Sequence, residues 1–219
     1  MLKIKRFIFN PFSVNTYVVS DPSGDCAIID CACMDESEWP RLHSYLESEH
    51  LHVVRLLNTH MHLDHVFGNK FMNTVYGLKP ECTVAEYQLY SMLPQQVALF
   101  FSEHYASKRN WDYCHITGPS LHDGDIVKIG SSSLEVISTP GHSPGGICFY
   151  SKEDGVLFSG DTIFNSSIGR TDLFGGSLPT LLRSIKDRIL TLPPTTCILS
   201  GHGEETTVEY EQSYNPFIY

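Results

Sequence analysis

Thr59-His60-Met61-His62-Leu63-Asp64-His65 sets three imidazoles and one carboxylate within six residues. The apolar run before it, His52-Val53-Val54-Arg55-Leu56-Leu57-Asn58, reads as a buried strand. Val66-Phe67-Gly68-Asn69-Lys70-Phe71-Met72 after it reads as a helix continuing to about Asn73. The cluster therefore falls at the C-terminal end of a strand, where open α/β sheets place their ligand sites. His60 and His62 share one side of an extended segment. Asp64 and His65 lie beyond the turn and face a second point nearby. One loop thus serves two adjacent metal positions, a density and order that a loop of solvated histidines does not need.

Three further stretches repeat the arrangement of a buried strand followed by glycine and a polar residue. Thr139-Pro140-Gly141-His142 presents His142 from a tight loop, Phe158-Ser159-Gly160-Asp161 projects Asp161, and Leu199-Ser200-Gly201-His202-Gly203 sets His202 between glycines. With the first cluster they make a set of five histidines and two aspartates. Nitrogen and carboxylate ligands without thiolate suit zinc, iron or manganese, and not copper(I) or an iron–sulfur cluster.

Composition limits what else the chain can be. Its 219 residues suffice for one substantial core, and no linker, charge run or repeat divides them, so a single domain over 1–219 is expected. A formal charge of −10 without a basic stripe argues against nucleic acid as a partner. Cations held inside would offset part of that charge. The N-terminus Met1-Leu2-Lys3-Ile4-Lys5-Arg6 lacks an apolar export segment, and no apolar run approaches the roughly 20 residues that span a bilayer. Seven scattered cysteines, with Cys31 and Cys33 the one close pair, read as reduced thiols. A cytoplasmic protein with no membrane partner is expected.

The remaining pattern divides into two strand-rich halves joined to helices. Strands are expected at 2–9, 15–20, 26–30 and 52–58, with a short one at Thr83-Val84, and again at 126–130, 134–139, 147–150, 156–159 and 197–200. Helices are expected over Glu36–Glu49, Glu86 to Phe101 with an offset at Pro94, and Leu178–Leu190. The stripe of Tyr87, Tyr90, Leu93, Val97, Phe100 and Phe101 reads as core. The stretch 102–118, with His104 and His115, lacks a clear period and reads as a lid or substrate-facing excursion; Gln95 to Gly118 is expected to choose the substrate. Asp30, ending an apolar strand, reads equally as a turn residue and as an acid behind a ligand. Two packed sheets with helices outside make a four-layer αββα sandwich.

These residues resemble the metallo-β-lactamase superfamily, whose H-x-H-x-D-H signature stands here as His60, His62, Asp64 and His65. The likeness runs the length of the chain, through Gly141-His142, Gly160-Asp161 and Gly201-His202. It implies one metal on His60, His62 and His142, a second on Asp64, His65 and His202, and Asp161 bridging them. Two divalent ions are implied as cofactors, with zinc ahead of iron or manganese. Within the superfamily the chain is most similar to the glyoxalase II (hydroxyacylglutathione hydrolase) branch, in Asn15-Thr16-Tyr17, in Gly169-Arg170-Thr171-Asp172-Leu173-Phe174-Gly175-Gly176-Ser177, and in Asn215-Pro216-Phe217. The short tail after His202 resembles the single-domain type without the helical C-terminal domain that supplies much of the glutathione site.

The resemblance implies hydrolysis of a small-molecule thioester by a metal-activated water, with Asp64 and Asp161 acting as ligands within the catalytic centre. Arg170 and Asp172 are expected to support their loop. The alternative within the superfamily is a persulfide dioxygenase with a single iron on His60, His142 and Asp161. Nuclease members carry an inserted domain and a basic surface that this acidic chain lacks. A β-lactamase fits the Gly-Arg-Thr-Asp loop less well. A non-catalytic metal-stabilised protein would need each metal's open position blocked.

Overall fold

The computed structural model describes residues 1–107 and 117–218. The first half of the chain builds strands β1 (Lys3–Phe9), β2 (Val14–Ser20) and β3 (Asp25–Ile29), then helix α1 (Trp39–Ser48), then β4 (His52–Leu57). The first three strands pair antiparallel in sequence order. β3 and β4 run parallel, which is why a helix must connect them. The second half supplies β5 (Ile126–Ile129), β6 (Ser132–Ser138), β7 (Ile147–Ser151), β8 (Val156–Gly160), a small hairpin β9 (Ile163–Phe164) and β10 (Ser167–Ile168), then β11 (Cys197–Ser200) and β12 (Thr206–Thr207). Apart from that hairpin these form one sheet in the order β12-β11-β8-β7-β6-β5, with β8 and β11 parallel.

Strand periodicity explains the layering, since successive side chains point to opposite faces. On β2, Tyr17 and Val19 face the second sheet while Val18 faces outward, and on β3, Ala27 and Ile29 oppose Cys26 and Ile28. The inward set meets Val136, Phe149, Phe158 and Leu199 in a core between the sheets. The outward set is covered by Leu42 and Leu46 of α1 and by Met72. The outer face of the second sheet, through Cys148, Leu157 and Ile198, is covered by Leu181, Ile185, Ile189 and Val208. Helix, sheet, sheet and helix make the expected αββα sandwich.

The helices differ in detail from the sequence pattern. After the histidine loop the chain forms α2 (Leu63–Val66) and α3 (Asn69–Tyr76), divided at Gly68 where a single helix to Asn73 was expected. Thr83-Val84 is not a strand: Thr83 is extended and Val84–Glu86 is a 3₁₀ turn, with no partner strand and Val84 exposed. Next come α4 (Tyr87–Ser91), α5 (Leu93–Phe100) and α6 (Glu103–Ser107). Tyr90, Leu93 and Val97 are core as expected, but Phe100 is 38% exposed and borders a cleft. His104 is exposed on α6, whereas His115 and the rest of 108–116 lie outside the described residues. α7 (Leu178–Ser184) continues as a wide π turn over Ile185–Ile189, filling the expected helix. α8 (Val208–Tyr214), β9, β10 and β12 were not legible in the sequence. No helix among the described residues is long and apolar enough to cross a membrane.

Candidate metal centre

All seven candidate ligands meet at one end of the sandwich, on loops that leave the C-terminal ends of β4, β6, β8 and β11. The rings of His60, His62 and His142 stand 4.8, 4.8 and 4.5 Å apart, centroid to centroid. His62 Nδ1 lies 2.8 Å from His142 Nε2, so His62 turns its Nδ1 into the centre. Beside them, His202 Nε2 is 3.4 Å and His65 Nε2 is 3.8 Å from Asp64 Oδ2. Asp161 reaches both groups: its Oδ1 is 3.3 Å from His65 Nε2, and its Oδ2 is 3.6 Å from His142 Nε2 and 3.5 Å from His202 Nε2.

The donor set fits a cation better than it fits itself. His60 Nε2, His65 Nε2 and Asp161 Oδ1 are buried without any hydrogen-bond partner. Each such atom costs about 1–3 kcal/mol unless something satisfies it, and all three belong to the ligand cluster. Burial, reinforced by neighbouring rings, pushes His60 well below its usual range and His62 down to about 3, leaving neutral imidazoles with lone pairs to offer. Burial also lowers His65, but Asp161 and Asp64 together outweigh it and push its pKa well above the usual range. Burial resists ionisation of Asp161, and His65 and His202 overcome it to keep the carboxylate well below its ordinary range. The two carboxylates therefore call for positive charge where a metal would sit.

Fixed acceptors behind the rings set which nitrogen each presents. The Arg170 carbonyl accepts from His142 Nδ1 at 2.7 Å, and the Phe12 carbonyl accepts from His202 Nδ1 at 3.0 Å, so both turn Nε2 inward. Asp30, at a left-handed φ of 52°, accepts from His65 Nδ1 at 3.0 Å and from the Thr59 amide and hydroxyl at 2.8 and 2.7 Å. Because the Thr59 hydroxyl donates to Asp30, it must accept from His60 Nδ1, 3.0 Å away. Asp30 also lies close enough to His60 and His65 to count as a ligand itself. Its oxygens are engaged on the far side of those rings, so it orients them. Asn15 Nδ2 and the Tyr17 hydroxyl both donate to the Ser200 carbonyl, at 2.9 and 2.8 Å, and clamp the His202 loop across the sheets.

The glycines before the ligands are required by close approach. Gly141 has a φ of 133°, and a Cβ there would collide with the Leu181 backbone. A Cβ on Gly201 would overlap Asp161 Oδ1 and come within 2.7 Å of His65 Cε1, displacing two of the candidate ligands. Gly201→Ala is expected to fold, with an unchanged far-UV circular dichroism spectrum, yet to lose roughly a hundredfold or more in activity, ~2.7 kcal/mol or more. Elemental analysis should show it short of metal; a fully loaded, fully active variant would count against this geometry.

A sequence model of the metallo-beta-lactamase superfamily matches residues 9–202. The chain belongs to this superfamily. It is 33% identical, over 94% of its length and 93% of the relative's, to the hydroxyacylglutathione hydrolase GloC of Haemophilus influenzae. Its structure superposes on that of the BLEG-1 B3 metallo-beta-lactamase with a TM-score of 0.86 at 31% identity, covering 99% of both chains. It superposes on TTHA1623 in a di-iron-bound form with a TM-score of 0.82 at 30% identity, covering 97% of this chain and 99% of that one.

Within this metallo-beta-lactamase fold the sequence reading missed Glu86. Its carboxylate is fully buried, and burial pushes its pKa up. One oxygen accepts from the Met61 amide at 2.8 Å, between His60 and His62, and the other accepts from the Gly145 amide at 2.7 Å, in the His142 loop. One side chain thus ties together the two loops that carry the first triad. Glu86→Ala strands two buried amides, and about 2–4 kcal/mol of stability should be lost. Urea unfolding of the wild type and variant measures this directly, and a difference below about 1 kcal/mol would refute the tie. Arg170 and Asp172 form an exposed pair, 2.7 and 2.8 Å across two bonds, so they stiffen their own loop. Such pairs contribute about 0–1 kcal/mol. The loop's tie to the centre is the Arg170 carbonyl.

Proposed function

We propose that the protein is a dinuclear metal-dependent hydrolase of thioesters, of the glyoxalase II kind. The observation that carries this is the position of Asp161, one carboxylate within 3.3–3.6 Å of rings from both ligand groups. In this reading His60, His62 and His142 hold one divalent ion, Asp64, His65 and His202 hold the other, and Asp161 joins them. Zinc leads among the candidate metals, with iron and manganese behind it. Bound ions would supply Lewis acidity and water acidified to near neutral pH.

The chain's own residues accomplish the rest. Phe12, Leu63, Phe100 and Leu173 line the cleft beside the ligands and lower the local dielectric, strengthening every electrostatic contact there. Among the described lining residues, the titratable groups are the ligands and Arg170. Among these described residues no acid outside the ligand set stands ready to protonate a departing group. A thiolate leaves without one, because a thiol ionises at about 8.5, whereas an amide nitrogen must be protonated as it departs. That preference favours a thioester over an amide or β-lactam substrate. The likeness to the Haemophilus hydroxyacylglutathione hydrolase points the same way. A single-iron dioxygenase would use His60, His142 and Asp161 and retain the other ligands as spares, so metal identity and oxygen uptake separate the two readings.

The test compares S-lactoylglutathione and simple acyl thioesters with a chromogenic cephalosporin and, by oxygen electrode, a glutathione persulfide. Turnover of thioesters at least a hundredfold faster than of the lactam, without oxygen uptake, is expected. Oxygen consumption with the persulfide and no hydrolysis would replace this reading with the dioxygenase.

A further inference from the structure

The cleft over the metal ligands does not end there. It has a volume of about 200 Å³ and runs on into a second hollow of about 140 Å³, the two sharing His62, Phe100 and Leu173 in their walls. The outer hollow lies between α4–α5 and the loop after Arg170, and Leu89, Met92, Leu99 and Phe174 complete its apolar wall. Leu99 is 76% exposed and Phe174 47% exposed, so these side chains face solvent beside a polar centre. Solvent-facing apolar side chains grouped beside a reactive centre mark a binding surface.

Its charge is as informative as its shape. Among the described lining residues of the outer hollow there is no lysine, arginine, aspartate or glutamate. Arg170, in the inner cleft, already pairs with Asp172. Gln96 is committed internally, accepting from the Leu63 amide at 3.0 Å and donating to the Leu89 carbonyl at 2.8 Å. Gln95 is the other polar wall residue, an uncharged amide. Glutathione, a tripeptide carrying carboxylates, finds no matching cation among the described residues of this outer wall.

Resting on the hydrolase reading above, we infer that the substrate carries an uncharged apolar arm that lies in this trough, with the scissile carbonyl at the metal ligands. The arm is either the acyl chain or an alkyl group on the thiol, since both radiate from the same carbonyl. Each methylene buried contributes about 0.8 kcal/mol, roughly a fourfold gain. In an open trough the gain should be about two- to fourfold per methylene.

Two series of thioesters separate the arms, using the metal-loaded protein as purified. One lengthens the acyl chain from acetyl to hexanoyl on N-acetylcysteamine, and the other lengthens an alkyl thiol under a fixed acetyl group. In parallel, S-alkyl thioethers, which cannot be hydrolysed, are titrated by calorimetry. A rise in kcat/KM along one series and tighter thioether binding with length are expected. Leu99→Lys, a change at an exposed position that should not disturb folding, is expected to flatten the slope. Hydrolysis without chain dependence in rate or binding, or a tenfold preference for the glutathione thioester over the neutral one, would overturn the trough and leave the hydrolase standing. Tighter thioether binding with length in a protein that hydrolyses no thioester would do the reverse.

Discussion

Asp161→Ala is expected to cost at least about a thousandfold in thioester turnover, ~4 kcal/mol of barrier, and to lower metal content at both positions together. The reason is placement. Asp64 faces only His65 and His202, but Asp161 faces those two and His142 as well. Its charge is what holds His65 and His202 in an acidic neighbourhood, and its loss would leave buried rings with one carboxylate fewer to oppose. Asp161→Asn keeps the shape and one oxygen, so it should retain some metal but lose the shared charge. Metal analysis and initial rates on the same samples check both variants. A D161A protein that keeps its metal and rate would remove Asp161 from the centre.

Asp30→Asn should weaken metal binding by about 10- to 100-fold although Asp30 touches no reacting atom. Asparagine tolerates the left-handed backbone at this position, so the change tests chemistry more than conformation. The carboxylate accepts from His65 Nδ1 and from the Thr59 amide and hydroxyl, and through Thr59 it sets the proton on His60. An amide offers one acceptor oxygen and sets a donor group against donors. At least one of those partners must turn away, and the ring it steadied is freed. Competition with a chromophoric chelator measures the affinity, and the ring protons in NMR spectra of the metal-free protein report the tautomers. Affinity unchanged within threefold would show that Asp30 only caps its strand.

Much of this centre could be read from the sequence because its ligands follow one local rule, a buried strand ending in glycine and a polar side chain. Gly201 shows why the rule is readable: its missing Cβ is the space that Asp161 and His65 occupy. Asp30 was ambiguous because its role depends on Thr59, whose hydroxyl direction no local pattern reveals. Glu86 was invisible for a stronger reason. It joins Met61 to Gly145 across long stretches of chain from within an ordinary amphipathic segment. Phe100 misled because helical spacing identifies an apolar stripe without saying which member reaches the rim. The two-residue strands β9, β10 and β12 are too short to carry any period.

Metal stoichiometry is the most direct measurement of the central claim. Protein purified without added metal, then equilibrated with zinc and freed of excess, should hold close to two ions per chain by elemental analysis, with turnover rising as the second is bound. One ion per chain at saturation, with activity already complete, would contradict a centre built on Asp161 as a shared ligand.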